Sequence, residues 1–335
     1  MPGIVIGDVH ASVKYMEIIQ NSFDFLFSTE YYKKSDFIIF QGDLFDHRKN
    51  IDVMVLDSVA KIFQKMSNKQ IRIIMGNHDM YNKESKDLSS LNVLEKMFKN
   101  IEIIKKPTLE ILNGINVYML PFGSRPDEKK IERSDYIFGH LEIYPYFPDS
   151  DIKENMFRGK KIFMGHQHKF DPENTPYSGS LFTTGYAETD NQKHFLYIEN
   201  KDNYSFFKNE KDILHLTMKY DDKENKIIIP FLNSEISLEE LNKKNFNEKY
   251  KYLLKGGEKE IEKVFTIFAE KEINAKIKTV VTDEETESKE VETINESEIK
   301  TILEKKNSVF EIFKDTIRKD EIKENIFKEA LRLEN

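Results

Sequence analysis

The chain contains no cysteine. Disulfides, thiolate metal ligands and a cysteine nucleophile are therefore excluded, and any metal site must be built from imidazole, carboxylate, amide or water. A cysteine-free chain fits the cytoplasm. Long apolar runs are also missing: none approaches the roughly 20 residues that a membrane helix needs, so no membrane association is expected. The N-terminus, MPGIVIGDVH, lacks a basic n-region and carries Asp8 inside its first apolar segment, so it does not read as a signal peptide. Positive charge is not in excess. The 51 Lys and Arg against 59 Asp and Glu give a formal net charge of -8. That excludes attachment to nucleic acid by bulk positive charge, while leaving room for a local basic surface. No internal repeat is visible.

What is present is enough apolar material for a core, at 39 % hydrophobic residues, and a length of 335 residues that suggests about two domains. Short apolar runs at Ile4–Ile6, Phe37–Phe40, Ile71–Met75, Ile115–Leu120, Tyr136–Phe138 and Ile162–Met164 read as buried strands. Val13–Phe27 and Asp52–Met66 read as helices between them, with Ser12 as a candidate N-cap for the first. Strand–helix alternation implies a layered α/β core. Later, Tyr250–Leu254 and Ala275–Thr282 read as strands flanking a helix at Glu258–Ala269, a small separate α+β unit. The stretch DEETESKEVE, 283–292, is acidic with little to bury and reads as a linker or solvated loop. Beyond Ser308 two apolar stripes follow, one of Val309, Phe310, Ile312, Phe313 and Ile317, the other of Ile322, Ile326, Ala330 and Leu333.

Five short motifs stand where strands end: GDVH (Gly7–His10), GDLFD (Gly42–Asp46), GNHD (Gly76–Asp79), GHLE (Gly139–Glu142) and GHQH (Gly165–His168). In each, glycine lets the chain turn sharply and a potential ligand follows. The carboxyl edge of strands in an α/β sheet is where ligands usually bind. Residues i and i+2 of an extended segment share a face, so Asp8/His10 and His166/His168 can each offer two donors to one side. Two carboxylates, one amide and four imidazoles, before His78 is counted, suit borderline divalent metals and are too many for one ion. A lone histidine is usually a surface or core residue, and Gly-Asp alone is a weak signal. Here, however, His10, His78, His140, His166 and His168 make up five of the eight histidines, all at Gly-led strand ends. His194 and His215 lack that context and read as structural or surface residues.

The ordered set D-x-H, GD, GNHD, GH and GHxH resembles the calcineurin-like metallophosphoesterase family. GNHD with GHLE, together with YSGSLFTTGYAE (Tyr177–Glu188), resembles its nuclease branch, the SbcD-type double-strand-break-repair nucleases, to which the recombination endonuclease subunit of T-even phages belongs. By motif the resemblance covers about the first 200 residues. It implies a four-layer α/β/β/α sandwich with a small α+β capping domain and a helical C-terminal tail. The expected division is a metallophosphoesterase domain over 1–205, a capping and DNA-binding domain over 206–285, and an acidic linker with a helical tail over 286–335.

The resemblance also implies roles. Asp8, His10, Asp43 and His168 would hold one metal, and Asp43, Asn77, His140 and His166 the other, with Asp43 as the bridge. The ions would be divalent, manganese first, with magnesium, iron or zinc as alternatives. His78 would contact the scissile phosphate and protonate the leaving oxygen, and Asp46 would fix its tautomer, although some nuclease relatives carry histidine in place of Asp46. Arg48, Lys49, Lys83 and Lys86 are candidates to meet the DNA backbone, against the plain alternative of a solvated loop. The tail would bind an SMC-like, SbcC-type ABC ATPase, against the alternative of packing on its own chain, and the nuclease domain would form a homodimer. The implied activity is a two-metal DNA exo- and endonuclease that processes DNA ends in recombination or break repair. Alternatives are a stand-alone metallophosphatase or cyclic-nucleotide phosphodiesterase, or a non-catalytic scaffold. Ser/Thr phosphatases favour GDxHG, GDxxDRG and GNHE, where this chain has GDVHA, GDLFDHR and GNHD. Scaffolds have eroded ligand sets, whereas every expected ligand is present here.

Overall fold

The computed structural model describes residues 2–82, 85–241, 246, 250–271, 273, 275, 277–281 and 289–290. In chain order the elements begin with β1 (Gly3–Ile6), α1 (Met16–Ser28), α2 (Glu30–Lys34), β2 (Phe37–Phe40), α3 (Val53–Lys65) and β3 (Gln70–Ile74). They continue with β4 (Met80–Asn82), β5 (Ser85–Ser89), α4 (Asn92–Met97), β6 (Ile101–Ile104), β7 (Thr108–Leu112), β8 (Ile115–Leu120), α5 (Glu128–Arg133) and β9 (Tyr136–Gly139). Then come β10 (Lys161–Met164), β11 (His194–Ile198), β12 (Tyr204–Lys208), β13 (His215–Asp221), β14 (Lys226–Ile229) and β15 (Ser234–Ser237). The last are β16 (Lys251–Gly256), α6 (Glu258–Glu270), β17 (Ile277–Val281) and β18 (Lys289–Glu290).

One compact unit comprises the described residues up to Thr184 together with Asn191–Ile213. It holds two sheets. The first has the order β12-β11-β1-β2-β3-β6, parallel from β1 to β6 and antiparallel at β11 and β12. The second has the order β10-β9-β8-β7, with only β7 antiparallel. The strands GIVI and FIIF are apolar at every position and buried at every position, as a sheet covered on both faces requires. Alternation then sorts them. Ile4, Ile6, Ile38 and Phe40 face a cluster with Phe23 of α1 and Val59 and Phe63 of α3. Val5, Phe37 and Ile39 face Val117, Met119, Tyr136 and Phe138 of the second sheet. The outer face of that sheet, Tyr118, Leu120 and Ile137, packs on Ile131 of α5 and on Phe157. The result is the four-layer α/β/β/α sandwich that the resemblance implies.

The second unit comprises Gly185–Asp190 and the described residues from Leu214. Its sheet has the order β15-β14-β13-β16-β17-β18, and α6 links the parallel strands β16 and β17. Ile261, Val264, Phe265 and Phe268 of α6 recur at helical spacing and close the core over Leu216, Met218, Tyr252 and Leu254.

Several sequence expectations need correction. The first unit runs to Ile213 rather than 205, because β12 pairs along its length with β11. Ser12 caps no helix: Val13–Tyr15 forms a single 3-10 turn, the Ser12 hydroxyl makes no capping bond, and α1 starts at Met16. Asp52 does cap α3, accepting from the Met54 N–H at 2.7 Å. Within the stretch read as an acidic linker, Lys289–Glu290 pair antiparallel with Val280 and Val281. The expected acidic linker and helical, partner-binding tail over 286–335 lies outside the described residues except for Lys289–Glu290. Among those described, no helix is long and apolar enough to cross a membrane.

Candidate metal centre

All five Gly-led motifs belong to the first unit, and they converge. Asp8 follows β1, Asp43 and Asp46 follow β2, Asn77 and His78 follow β3, His140 follows β9, and His166 and His168 follow β10. The turns that carry them are tight. His10, Asp43 and His166 sit at φ values of 45°, 47° and 85°, a region that non-glycine residues rarely occupy and that clusters at functional sites. Gly42 reaches φ 107° at the same place. Gly76 has no room for a side chain, because a Cβ there would collide with the carboxylate and backbone nitrogen of Asp43.

The donors fall into two groups that meet at one oxygen. In the first, the Nε2 atoms of His10 and His168 lie 2.9 Å apart, with Asp8 Oδ2 3.7 Å from His168 Nε2. In the second, Asn77 Oδ1 lies 2.9 Å from both His140 Nε2 and His166 Nδ1. Asp43 Oδ2 stands between them, 3.8 Å from His10 Nε2 and 3.3 Å from His140 Nε2. Asp8, His10 and His168 form one cluster of metal-ligating geometry, and Asp43, His140 and His166 form another.

Hydrogen bonds fix these groups from behind. His140 Nδ1 donates to the Gln41 carbonyl at 2.8 Å, which leaves Nε2 for the site. Asp8 Oδ2 accepts from the His166 N–H at 2.8 Å, and Asp43 Oδ1 accepts from the His78 N–H at 2.7 Å. The His168 carbonyl accepts from the Ser180 N–H and from the buried ammonium of Lys193, at 3.1 and 2.6 Å. Asp79 contributes no donor to the cluster. Its carboxylate accepts from the N–H groups of Asp43, Leu44 and Gly76, at 2.8, 3.0 and 2.9 Å.

The electrostatics show what the cluster lacks. Asp8 is fully buried and its Oδ1 has no hydrogen-bond partner. Burial pushes its carboxyl pKa up. Burial also opposes ionisation of Asp43, but His140, His10 and the His78 N–H outweigh it and hold Asp43 well below the usual carboxylate range. Burial disfavours charge on His140 as well, yet Asp43 and Asp8 outweigh it and push its pKa up to about 10. Burial and His140 push His166 down to about 4. Burial and Asp43 push Asp79 up to about 7. Buried oxygens and imidazole lone pairs thus converge with too few donors among them, and a proton on His140 is the partial remedy. A divalent cation is a fuller one, and the all-oxygen-and-nitrogen donor set fits the borderline divalent metals.

The expected pairing of His78 with the Asp46 side chain is not formed. His78 Nδ1 lies 2.7 Å from the Asp46 backbone carbonyl, which fixes the ring instead. The Asp46 carboxylate turns to His10 Nδ1 at 3.4 Å, and that interaction, with burial opposing, lowers its pKa. His78 is edge-on to His10, with ring centroids 5.0 Å apart. Arg48 and Lys49 follow on the same loop, with Lys49 Nζ 5.4 Å from the Tyr81 ring centroid. Lys83 and the side chain of Lys86 lie outside the described residues. His194 stacks on Phe170, and His215 is buried beside Tyr186; neither joins the cluster. Sequence reasoning missed Asp79, Gln41 and Lys193 as supports. Asp79 had a signal, a carboxylate two residues from an expected ligand. Gln41 acts through its backbone carbonyl, and Lys193 is remote in sequence.

The family model described as "Calcineurin-like phosphoesterase" matches residues 1–170. The chain belongs to the calcineurin-like phosphoesterase family. That family is described as phosphoesterases, and the donor clusters above are of the kind that can hold divalent metals. This phosphoesterase is similar to "Exonuclease subunit 1" of Enterobacteria phage T4, at 24 % identity over 50 % of this chain and 54 % of that protein. It is also similar to "Putative phosphoesterase 078R" of Invertebrate iridescent virus 3, at 22 % identity over 42 % of this chain and 44 % of that protein. The phosphoesterase thus spans about half the length of the curated relatives it matches. Among solved structures, the phosphoesterase Yfce from E. coli matches with a TM-score of 0.34 and 14 % identity, over 63 % of this chain and 95 % of that one.

Proposed function

We propose that this phosphoesterase is a two-metal phosphodiesterase that cleaves DNA. The observation that carries the two-metal reading is the position of Asp43 Oδ2 between the two donor groups. Asp8, His10, Asp43 and His168 would hold one cation, and Asp43, Asn77, His140 and His166 the other. Only a carboxylate can serve both, since an imidazole nitrogen has a single lone pair for a metal. Divalent cations held there, manganese foremost, supply Lewis acidity: they lower the pKa of water and neutralise charge on a phosphate.

The chain's own residues do the rest. The Asp46 carbonyl accepts from His78 Nδ1–H, so Nε2 is the nitrogen left to meet a phosphate oxygen, and in the imidazolium form it would give its proton to the leaving oxygen and return to the neutral ring. Asp46 acts on this reading through its backbone on His78 and through its carboxylate on His10. Arg48 and Lys49 sit on the loop beside His78 and are the cations for the DNA backbone.

DNA as substrate is supported by GHLE and the Tyr177–Glu188 segment, and by the similarity to a phage exonuclease subunit. That relative's name also motivates a partner. An SMC-like ATPase of the SbcC type is the partner we infer, bound through the tail, in recombination or break repair in the cytoplasm. A homodimer through the first unit is consistent with the exposed apolar side chains Val53 and Met54 of α3 and Val93 and Met97 of α4.

The test is to incubate the protein in manganese with labelled linear duplex and single-stranded DNA, beside a phosphoserine peptide and a cyclic nucleotide. DNA is cut, and His78→Ala lowers the rate about 10²- to 10⁴-fold while the bound metal is unchanged. Hydrolysis of the peptide or the cyclic nucleotide without any DNA cleavage would overturn the reading.

A further inference from the structure

Each imidazole of the metal centre has two ring nitrogens, and only one can face an ion. The other needs a partner if the ring is to hold its orientation. His140 turns Nε2 to the centre and gives Nδ1 to the Gln41 carbonyl at 2.8 Å. His168 also turns Nε2 inward, with Nδ1 3.3 Å from Thr184 Oγ1. His10 does the same, with Nδ1 3.4 Å from the Asp46 carboxylate. His166 is reversed. Its Nδ1 lies 2.9 Å from Asn77 Oδ1 and 3.2 Å from His140 Nε2, so Nε2 is its outward nitrogen. The atom standing there is Oε1 of Glu142, 3.3 Å away.

Glu142 closes the GHLE motif, two residues after His140 on the exit from β9. Its side chain is 46 % exposed, and an isolated surface carboxylate of that kind contributes little. Its main chain, however, is anchored. Leu141 and Ile143 on either side are buried. One buried hydroxyl, that of Tyr177, donates to the Leu141 carbonyl at 2.9 Å and accepts from the Ile143 N–H at 3.0 Å. The Glu142 carbonyl accepts from Ser150 Oγ at 2.7 Å. Phe147 and Phe122 flank the His166 ring, with centroids 5.0 and 5.7 Å away. The carboxylate and the ring it meets are thus both carried on fixed supports.

We propose that Glu142 is a positioning residue of the metal centre: its carboxylate accepts the Nε2–H of His166 and so aims Nδ1 at the cation assigned to Asn77, His140 and His166. The proposal rests on the metal-centre reading above. A neutral imidazole that gives the Nδ1 lone pair to a cation carries its proton on Nε2, so metal binding itself creates the donor. An acceptor oxygen on that proton fixes the ring. The amide of Glu142→Gln offers such an oxygen, and the side chain of Glu142→Leu offers none.

Manganese is titrated into the metal-free full chain, with circular dichroism reporting that the variants fold. The wild type binds two ions. Glu142→Leu weakens one of them about tenfold and leaves the other unchanged. Glu142→Gln restores most of the loss. A second readout is independent of affinity. In the zinc-loaded chain with nitrogen-labelled histidine, NMR shows the His166 Nε2–H protected from exchange with water in the wild type and in Glu142→Gln, and unprotected in Glu142→Leu. Equal titrations for all three chains, or a Glu142→Leu loss shared equally by both ions, overturn the role. If the wild type binds one ion and Glu142→Leu weakens it, Glu142 keeps its role and the two-ion reading falls. If it binds two ions that Glu142→Leu leaves unchanged, Glu142 falls alone. If it binds none, both fall.

Discussion

Asp79 donates nothing to the metal cluster, yet three backbone N–H groups from the two loops that present Asp43 and Asn77 end on its carboxylate. It is a positioning residue. Asp79→Asn turns an NH₂ group toward at least one of those donors, which costs about 1–3 kcal/mol of stability. Loosening Asp43 should also weaken metal binding about 10- to 100-fold. Thermal melts with and without manganese, beside a metal titration, check both effects; a titration identical to wild type would contradict the role. At this scale the sequence was informative for donors and poor for supports. The candidate donors stand out because glycine, carboxylate and imidazole recur at strand ends. Gln41 and Lys193 are invisible because a backbone carbonyl carries no side-chain signature and Lys193 meets His168 only after folding. Asp46 shows a third case, a residue that lies beside the cluster but whose carboxylate and carbonyl take different partners from those expected.

His194 gives a pH effect away from the metal. Burial lowers its pKa below the ordinary 6.5. The unfolded chain therefore takes up a proton near pH 6.5 while the folded chain does not, so this contribution to stability is full above pH 6.5 and is lost as pH falls through the folded pKa. His194→Phe keeps the stack on Phe170 and removes the proton. Denaturant midpoints across pH 4 to 7 should fall less steeply for the variant on the acid side.

At the scale of elements, α3 carries the loop of Asp43 and Asp46 into the helical layer. Its N-terminus is fixed by Asp52 and its inner stripe is Val55, Val59, Ile62 and Phe63. Asp52→Ala removes the cap at a cost of about 1 kcal/mol. Phe63→Ala, in a fully packed site, costs about 3–5 kcal/mol. Denaturant unfolding separates the two, and equal losses would argue against this picture of the helix. The sequence located α3 and α1 because apolar residues recur at helical spacing. It located β1, β2, β3, β9 and β10 because apolar runs end in glycine motifs, and β8 from its apolar run alone. It missed β4 and β5, whose residues are mostly exposed and polar, and β13 to β15, whose segments mix lysine, aspartate and serine with apolar residues.

For the whole molecule, every candidate ligand lies in the first unit, and the second unit has its own core around Leu216, Tyr252 and Val264. The legible part of the architecture is the part in which a buried sheet forces continuous apolar strands. The boundary near Ile213 was not legible, because β12, with its sequence YSFFK, looks like a surface hairpin until it is paired with β11.

The central claim is that the donors serve two ions, with His166 and His168 on different ones although they are a residue apart. The most direct measurement is bound manganese per chain after reconstitution and dialysis, for the wild type, His166→Ala, His168→Ala and Asp43→Asn. The account predicts close to two ions in the wild type, close to one in each histidine variant, and less than one in Asp43→Asn. One ion in the wild type, lost completely by either histidine variant, would contradict it.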